Sequence, residues 1–235
     1  MPKQHVWLIR YGKTEFPLVA YDGPYDSDID PTEGIIHANS IAQQVASSPA
    51  ESLPSKVYAS PFLRTTHTAS ILATSLSKQV HVEEGLYEYL TPSLLVDRSG
   101  VRTYPRSVEE LTKIFQNIDA SYAKAVEITA EMFPEDESKL IERCRDALNG
   151  IINHANGENI AIVAHAPCVQ ALAFVMEGVQ SVQDSKLEKW PLGGITKFSR
   201  EENGKWEMDF YGVTDHMPGE YKEGAGLWSL PCFDK

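Results

Sequence analysis

Three side chains able to hold an anion, Arg10, Arg64 and His165, each stand beside the end of a short apolar run. Arg10 follows His5-Val6-Trp7-Leu8-Ile9, a run that suits a buried parallel strand opening into a loop at Tyr11-Gly12. Arg64 comes after Lys56-Val57-Tyr58-Ala59 and Ser60-Pro61; serine as cap and proline in the first turn place it in the first turns of a helix above a strand end. His165 sits where the continuous apolar strand Ile160-Ala161-Ile162-Val163-Ala164 stops. In open α/β sheets ligands bind at that end of the strands. Guanidinium groups match phosphate oxygens with paired, charge-assisted hydrogen bonds, so capture of a compact anion is the chemistry these residue types can perform.

The elements between them set the geometry. Residues 16–34 are rich in Pro, Gly and Asp and read as a long loop, of the kind that is often functional in a compact domain. A helix is expected from about Ile35 to Ser47 and a strand over residues 79–83. Residues 91–105 read as a loop, and helical patterns return over 107–118 and 122–132, with Phe133-Pro134 as a break. The region of about 86–134 is read as a helical insertion covering the sheet and forming part of a lid. Leu140, Cys144, Leu148 and Ile151 recur at helical spacing within 137–154, and Asn156-Gly157 follows as the turn. A helix over Val169 to Met176, a strand over Ile195 to Ser199 and a hairpin partner ending near Tyr211 complete the core, and the tail after Thr214 is expected to pack without regular structure. The fold class expected is α/β, a three-layer sandwich with a mainly parallel central sheet, in one domain spanning 1–235.

Composition narrows the partners. At 235 residues and 42% apolar, the chain suits a single large α/β domain with a full core. A formal net charge of −12 argues against general nucleic-acid or anionic-membrane binding, although a local group of arginines can still hold phosphate. No segment approaches the ~20 apolar residues that span a bilayer, and no leader is evident, so a soluble cytoplasmic protein is expected. Cys144, Cys168 and Cys232 form neither a disulfide framework nor a metal pattern and read as reduced thiols; neither metal nor cofactor is expected.

The motifs resemble those of the histidine phosphatase (phosphoglycerate mutase-like) superfamily. Leu8-Ile9-Arg10-Tyr11-Gly12-Lys13-Thr14-Glu15 is similar to its R-H-G-x-T/S signature, with Tyr11 where the family has histidine. Asp30-Pro31-Thr32-Glu33-Gly34 and Ala38 resemble L-T-x-x-G-x-x-Q-A, with His37 for the glutamine. Ser60-Pro61-Phe62-Leu63-Arg64 with Thr68-Ala69 resembles S-P-x-x-R-x-x-x-T-A; Leu86-Tyr87-Glu88 resembles the L-x-E of the proton donor. Ile162-Val163-Ala164-His165-Ala166 resembles the second-histidine strand end, and Asp215-His216 is a weaker echo of a C-terminal motif. The matches keep the family's order over nearly the whole chain and look most like the branch holding the ecdysteroid-phosphate phosphatases and the UBASH3-type phosphatases.

The resemblance implies roles. Arg10, Arg64, His165, the Ala166 amide and Thr14 would bind the phosphoryl group; His165 would stabilise charge on its equatorial oxygens, and the amide at a helix start would add a donor aligned with the dipole. Glu88, if burial raises its pKa, would protonate the leaving oxygen. Tyr11 would stand in place of the nucleophile. A phenol of pKa about 10 is ionised in roughly one molecule in a thousand at pH 7, and an aryl phosphate formed on it would be a stable ester. Two nearby arginines would lower that pKa without curing the second defect. Tyr11 is therefore open to three readings: a native replacement in a binding or repurposed site, a substitution introduced to trap ligand, or a true nucleophile. Accordingly, a non-catalytic phosphomonoester or anion binder, an impaired phosphatase, and a repurposed enzyme moving protons through Tyr11, His165 and Glu88 (isomerase, cyclase or lyase) all remain in play. His67 shares a helix face with Arg64 and reads as an ordinary helix residue or a neighbour of the site before a displaced nucleophile; Cys168 reads as apolar packing. His5, His37, His81 and His154 read as structural or surface residues. Phe16, Tyr21, Tyr25, Tyr87, Tyr89 and Tyr104 suggest an apolar wall for a ligand larger than a small sugar phosphate. Oligomeric state is left open, a homodimer included.

Overall fold

The computed structural model describes residues 3–15, 26–89, 106–201 and 204–233. Six strands form one sheet in the order β3-β2-β4-β1-β5-β6: β1 Gln4–Arg10, β2 Lys56–Ala59, β3 Val80–Val82, β4 Ile160–Ala164, β5 Ile195–Arg200 and β6 Glu207–Val213. The pairs β3/β2, β2/β4 and β4/β1 are parallel, whereas β1/β5 and β5/β6 are antiparallel. Alternation along the strands divides the core in two. Val6, Leu8, Tyr58, Ile160, Ile162 and Ala164 face α4 (Glu137–Ala155) and α5 (Ala166–Glu177). Trp7, Ile9, Val57, Ala59, Ala161 and Val163 face α1 (Glu33–Ala46) and α2 (Leu63–Ser75). Both faces of the central strands are therefore covered, which is why β1 and β4 are apolar almost throughout. The architecture is the three-layer α/β sandwich with a mainly parallel sheet.

Helix ends are set by local chemistry. Asp136 accepts from the Lys139 amide at the start of α4, and Asn156, in the left-handed region at φ 50°, ends it. At α1 the Asp30 carboxylate takes the Thr32 and Glu33 amides, both at 2.8 Å, so the helix begins two residues before the expected Ile35. Gly34 is required there: a Cβ would come within 2.4 Å of the Lys13 carbonyl. Gly12 meets His37 in the same way, at 2.5 Å, so α1 abuts the loop leaving β1.

Two expected helices are corrected. Within 107–118 only Val108–Thr112 (α3) is α-helical, started by a Ser107/Glu110 capping box; beyond it, Val80 donates to the Asn117 carbonyl and Asp119 to the Val80 carbonyl, joining the segment to the β3 edge. Residues 122–132 hold only a short 3-10 turn, Ala130–Met132. Their amides are drawn elsewhere: Ala125 and Val126 donate to the buried Glu83 carboxylate at 2.7 and 3.0 Å, and Ile128 donates to Glu84 at 3.0 Å. Carboxylate acceptors outcompete the i−4 carbonyls that a helix would need. Of the expected lid, residues 90–105 lie outside the described residues. The tail carries two 3-10 turns, Gly219–Glu223 and Pro231–Phe233, and buries Leu230 and Phe233, so it is more regular than expected. Among the described residues no helix is long and apolar enough to cross a membrane.

Candidate functional site

Register brings the candidate residues together. Arg10 pairs with Ala164 across β1/β4, so Tyr11 and His165 leave adjacent strand ends side by side, with ring centroids 5.6 Å apart. Ala59 pairs with Val163, and the Ser60 amide donates to the Val163 carbonyl, which brings Ser60 and the start of α2 to the same edge. Arg64 Nη2 lies 3.1 Å from Glu88 Oε2 and 3.2 Å from His165 Nδ1. His165 Nδ1 is 2.9 Å from the same carboxylate oxygen. Arg64 and His165 are fully buried, and Tyr11, Arg10 and Glu88 nearly so. The Arg64 guanidinium lies 5.2 Å from the centre of the Tyr11 ring and 4.7 Å from that of Phe62.

Ser60 was missed from sequence. It does not cap α2, whose N-cap position is Phe62; its hydroxyl bonds His165 Nε2 at 2.8 Å. With Nδ1–H donating to Glu88, Nε2 is left to accept from Ser60, and this network assigns the tautomer. Thr65 and Thr66 hydroxyls donate to the Ser60 carbonyl and hold that turn. The signal available in the sequence was a serine directly at a strand end, overshadowed by the helix-start pattern Ser-Pro.

Protonation states follow from burial and neighbours. Burial pushes the His165 imidazole down to about 4, against the pull of Glu88, so it is neutral at pH 7. The condition set for Glu88, a pKa raised by burial, is not met: burial alone would raise it, but His165, Arg64 and the Tyr89 amide at 2.9 Å together hold it at about 2. At neutral pH the Arg64 charge and the two hydrogen bonds sustain this anion. The lowering considered for Tyr11 is corrected. Burial raises its phenol, Glu88 adds to the rise, and the opposing pull of Arg64 and Arg10 does not overcome them.

Arg10 joins the group from the β1 side, with Glu88 and Arg64 as the charges around it and the Tyr11 side chain as a hydrogen-bond partner. Its Nη1 donates to the carbonyls of Trp190 and Gly226 at 2.7 and 2.6 Å. Ala166 is buried as the first residue of α5, so its amide has no acceptor within the helix. Thr14 lies in the loop and bridges Ile29. Glu88 is steadied through Tyr87, whose carbonyl accepts from Arg143 Nη1 at 3.0 Å and from Cys168 Sγ at 2.9 Å. Cys168 is buried and its thiol is pushed well up, first by burial, as packing requires. His67 turns to Asp28, 2.9 Å away, and to the Phe115 ring, not to the cluster. His37 is buried and takes the Lys13 amide at 3.2 Å. Of the expected aromatic wall, Tyr87 packs on Phe62 and Phe133, and Tyr89 is half-buried; Phe16, Tyr21, Tyr25 and Tyr104 lie outside the described residues.

Known proteins share this frame. The ubiquitin-associated and SH3 domain-containing proteins A and B of Homo sapiens are 27% and 30% identical over 172 and 165 residues. The matches cover 66% and 65% of this chain, which spans 24% of either relative. The ecdysone phosphate phosphatase of Bombix mori in complex with tungstate superposes with a TM-score of 0.66 at 18% identity, covering 92% of this chain and 94% of that one. The phosphoserine phosphatase of Entamoeba histolytica in complex with 3-phosphoglyceric acid gives 0.62 at 21%, covering 92% and 100%. These relatives fall in the branch that the motifs resemble. The model of the histidine phosphatase superfamily (branch 1) matches residues 6–214, and the chain belongs to that superfamily.

Proposed function

We propose that the protein binds a phosphomonoester or similar oxyanion at the C-terminal ends of β1, β2 and β4 through Arg10, Arg64 and His165, with phosphohistidine turnover absent or greatly reduced. The observation that carries this reading is the buried meeting of Arg64, His165, Glu88 and Tyr11 within hydrogen-bond or ring contact. Arg10 and Arg64 supply the positive charge, neutral His165 and the Ala166 amide supply hydrogen-bonding capacity, and Thr14 is assigned as a further phosphate contact from the loop. Solved structures of the same fold are phosphatases, one seen with tungstate and one with 3-phosphoglyceric acid, in keeping with an anion here.

Tyr11 occupies the nucleophile position of the family signature. Its phenol is raised by burial, so it is protonated at neutral pH and a poor attacker. Catalysis by Glu88 as an acid would first require its carboxylate to take up a proton. Single-turnover phosphate release from an aryl phosphate tests the reading, with Tyr11→His expected to be faster than the unmodified chain by roughly 100-fold or more. Equal rates would end the claim of lost turnover. Calorimetry with inorganic phosphate tests the anion site separately: Arg64→Ala is expected to abolish binding, and no binding by the unmodified protein would remove the site.

A further inference from the structure

We infer that the C-terminal segment around Gly226–Trp228 is a strap that orients Arg10, so that anion affinity at the strand ends depends on the tail. This rests on Arg10 being an anion ligand. One guanidinium nitrogen, Nη1, is held by two carbonyls, Trp190 at 2.7 Å and Gly226 at 2.6 Å. The segments bearing them are paired: Trp190 donates to the Trp228 carbonyl at 2.7 Å, Trp228 donates back at 3.0 Å, and Leu192 donates to Ala225 at 3.1 Å. The same loop holds the backbone beneath the site, because Arg10 donates to the Gly194 carbonyl at 3.1 Å and Gly193 donates to the Tyr11 carbonyl at 3.0 Å. His216 closes the loop from behind, with Nε2 3.1 Å from the Gly193 carbonyl.

Two acceptors on one nitrogen fix the plane of a guanidinium, and its remaining donors then face directions the protein has chosen. One of these, Arg10 Nε, is buried with no hydrogen-bond partner among the described residues. A buried N–H left without an acceptor is costly, and a bound oxyanion oxygen would provide one. The tail thus takes the part of the guanidinium that must not move and leaves Nε for ligand. Nothing in the local sequence of Gly224-Ala225-Gly226-Leu227-Trp228 announces this, because the carbonyl that does it belongs to a glycine.

Gly226 is the position to alter. Its φ is +68°, and a Cβ would lie 3.0 Å from Leu192 Cβ, so Gly226→Ala strains the backbone and displaces the carbonyl without changing a charged group. Calorimetric titration with orthovanadate is expected to show affinity reduced on the order of tenfold in Gly226→Ala, since small misplacements of a binding group have effects of this size or larger. In an Arg10→Lys background the same change is expected to cost nothing further. Should Gly226→Ala fail to fold, Trp228→Ala loosens the paired segment and is read in the same two backgrounds. Unchanged vanadate affinity in a folded tail variant, or an equal loss with Arg10→Lys in place, overturns the strap. If Arg64→Ala and Arg10→Lys leave binding intact, the anion site itself fails, and the strap goes with it.

Discussion

Because Glu88 Oε2 lies 3.1 Å from Arg64 and 2.9 Å from His165 Nδ1, an oxyanion entering the proposed site would meet a carboxylate already using the donors it needs. Glu88 is lowered to about 2, so at pH 7 its charge offsets part of the field of the two arginines. A like charge about 4–5 Å from the ligand costs on the order of 3 kcal/mol at an effective dielectric of about 20, more than one good hydrogen bond returns. Binding of a dianion should therefore be accompanied by proton uptake. Glu88→Gln is expected to tighten phosphate binding at pH 7 by roughly tenfold and to lower the number of protons taken up on binding, read from the dependence of the calorimetric heat on the ionisation enthalpy of the buffer. Weaker binding by Glu88→Gln would mean that the carboxylate helps hold the ligand, contrary to this account. The placement of Arg10, Arg64 and His165 was legible because each follows an apolar run at a strand end, whereas Glu88, in a loop, was singled out only by its resemblance to the family's L-x-E. Protonation states were not legible: those depend on which neighbour wins, as Glu88 and Tyr11 show.

At the scale of elements, Glu83 decides what the chain does over 119–132. It is fully buried at the end of β3 and accepts four hydrogen bonds: from the amides of Gly85 at 3.0 Å, Ala125 at 2.7 Å and Val126 at 3.0 Å, and from the Tyr122 hydroxyl at 2.8 Å. Glutamine of the same shape would turn an NH2 toward donors. Glu83→Gln is expected to cost about 2–3 kcal/mol, from the loss of charge-assisted bonds and the burial of mismatched polar groups, read as a lower urea midpoint with an unchanged slope. A change under 0.5 kcal/mol would show that the segment is held by its apolar contacts instead. The same residue explains a failure of sequence reading. Periodicity over 122–132 resembles a helix, but the competing acceptor lies some forty residues away, and local patterns carry no information about it. By contrast α4, with its cap, its apolar spacing and its Asn-Gly turn, was read to within one residue at its C-terminal end, because every determinant is local.

The whole molecule buries several histidines as neutral rings, and that sets its response to acid. His165 and His81 are both pushed down to about 4, chiefly by burial. Between about 6.5 and 4 the unfolded chain takes up protons that the folded chain refuses, so stability is complete above about 6.5 and falls as pH drops through that window. Each ring accounts for roughly 3 kcal/mol over the full window. Glu88 adds its loss later, since a carboxylate lowered to about 2 stabilises above its ordinary value and gives this up as pH falls toward 2. A formal charge of −12 works the other way, because protonating surface carboxylates relieves repulsion. Urea midpoints are therefore expected to be level from pH 8 to 7 and to fall steadily from pH 6.5 to 4.5. His81 lies at the β3 edge, where its ring packs against Tyr58, Tyr122 and His154, away from Arg64 and His165. His81→Gln should make the fall shallower by up to one proton's worth of slope while leaving the strand-end cluster untouched, and a stability that rose on acidification over this range would show that surface repulsion outweighs the buried rings.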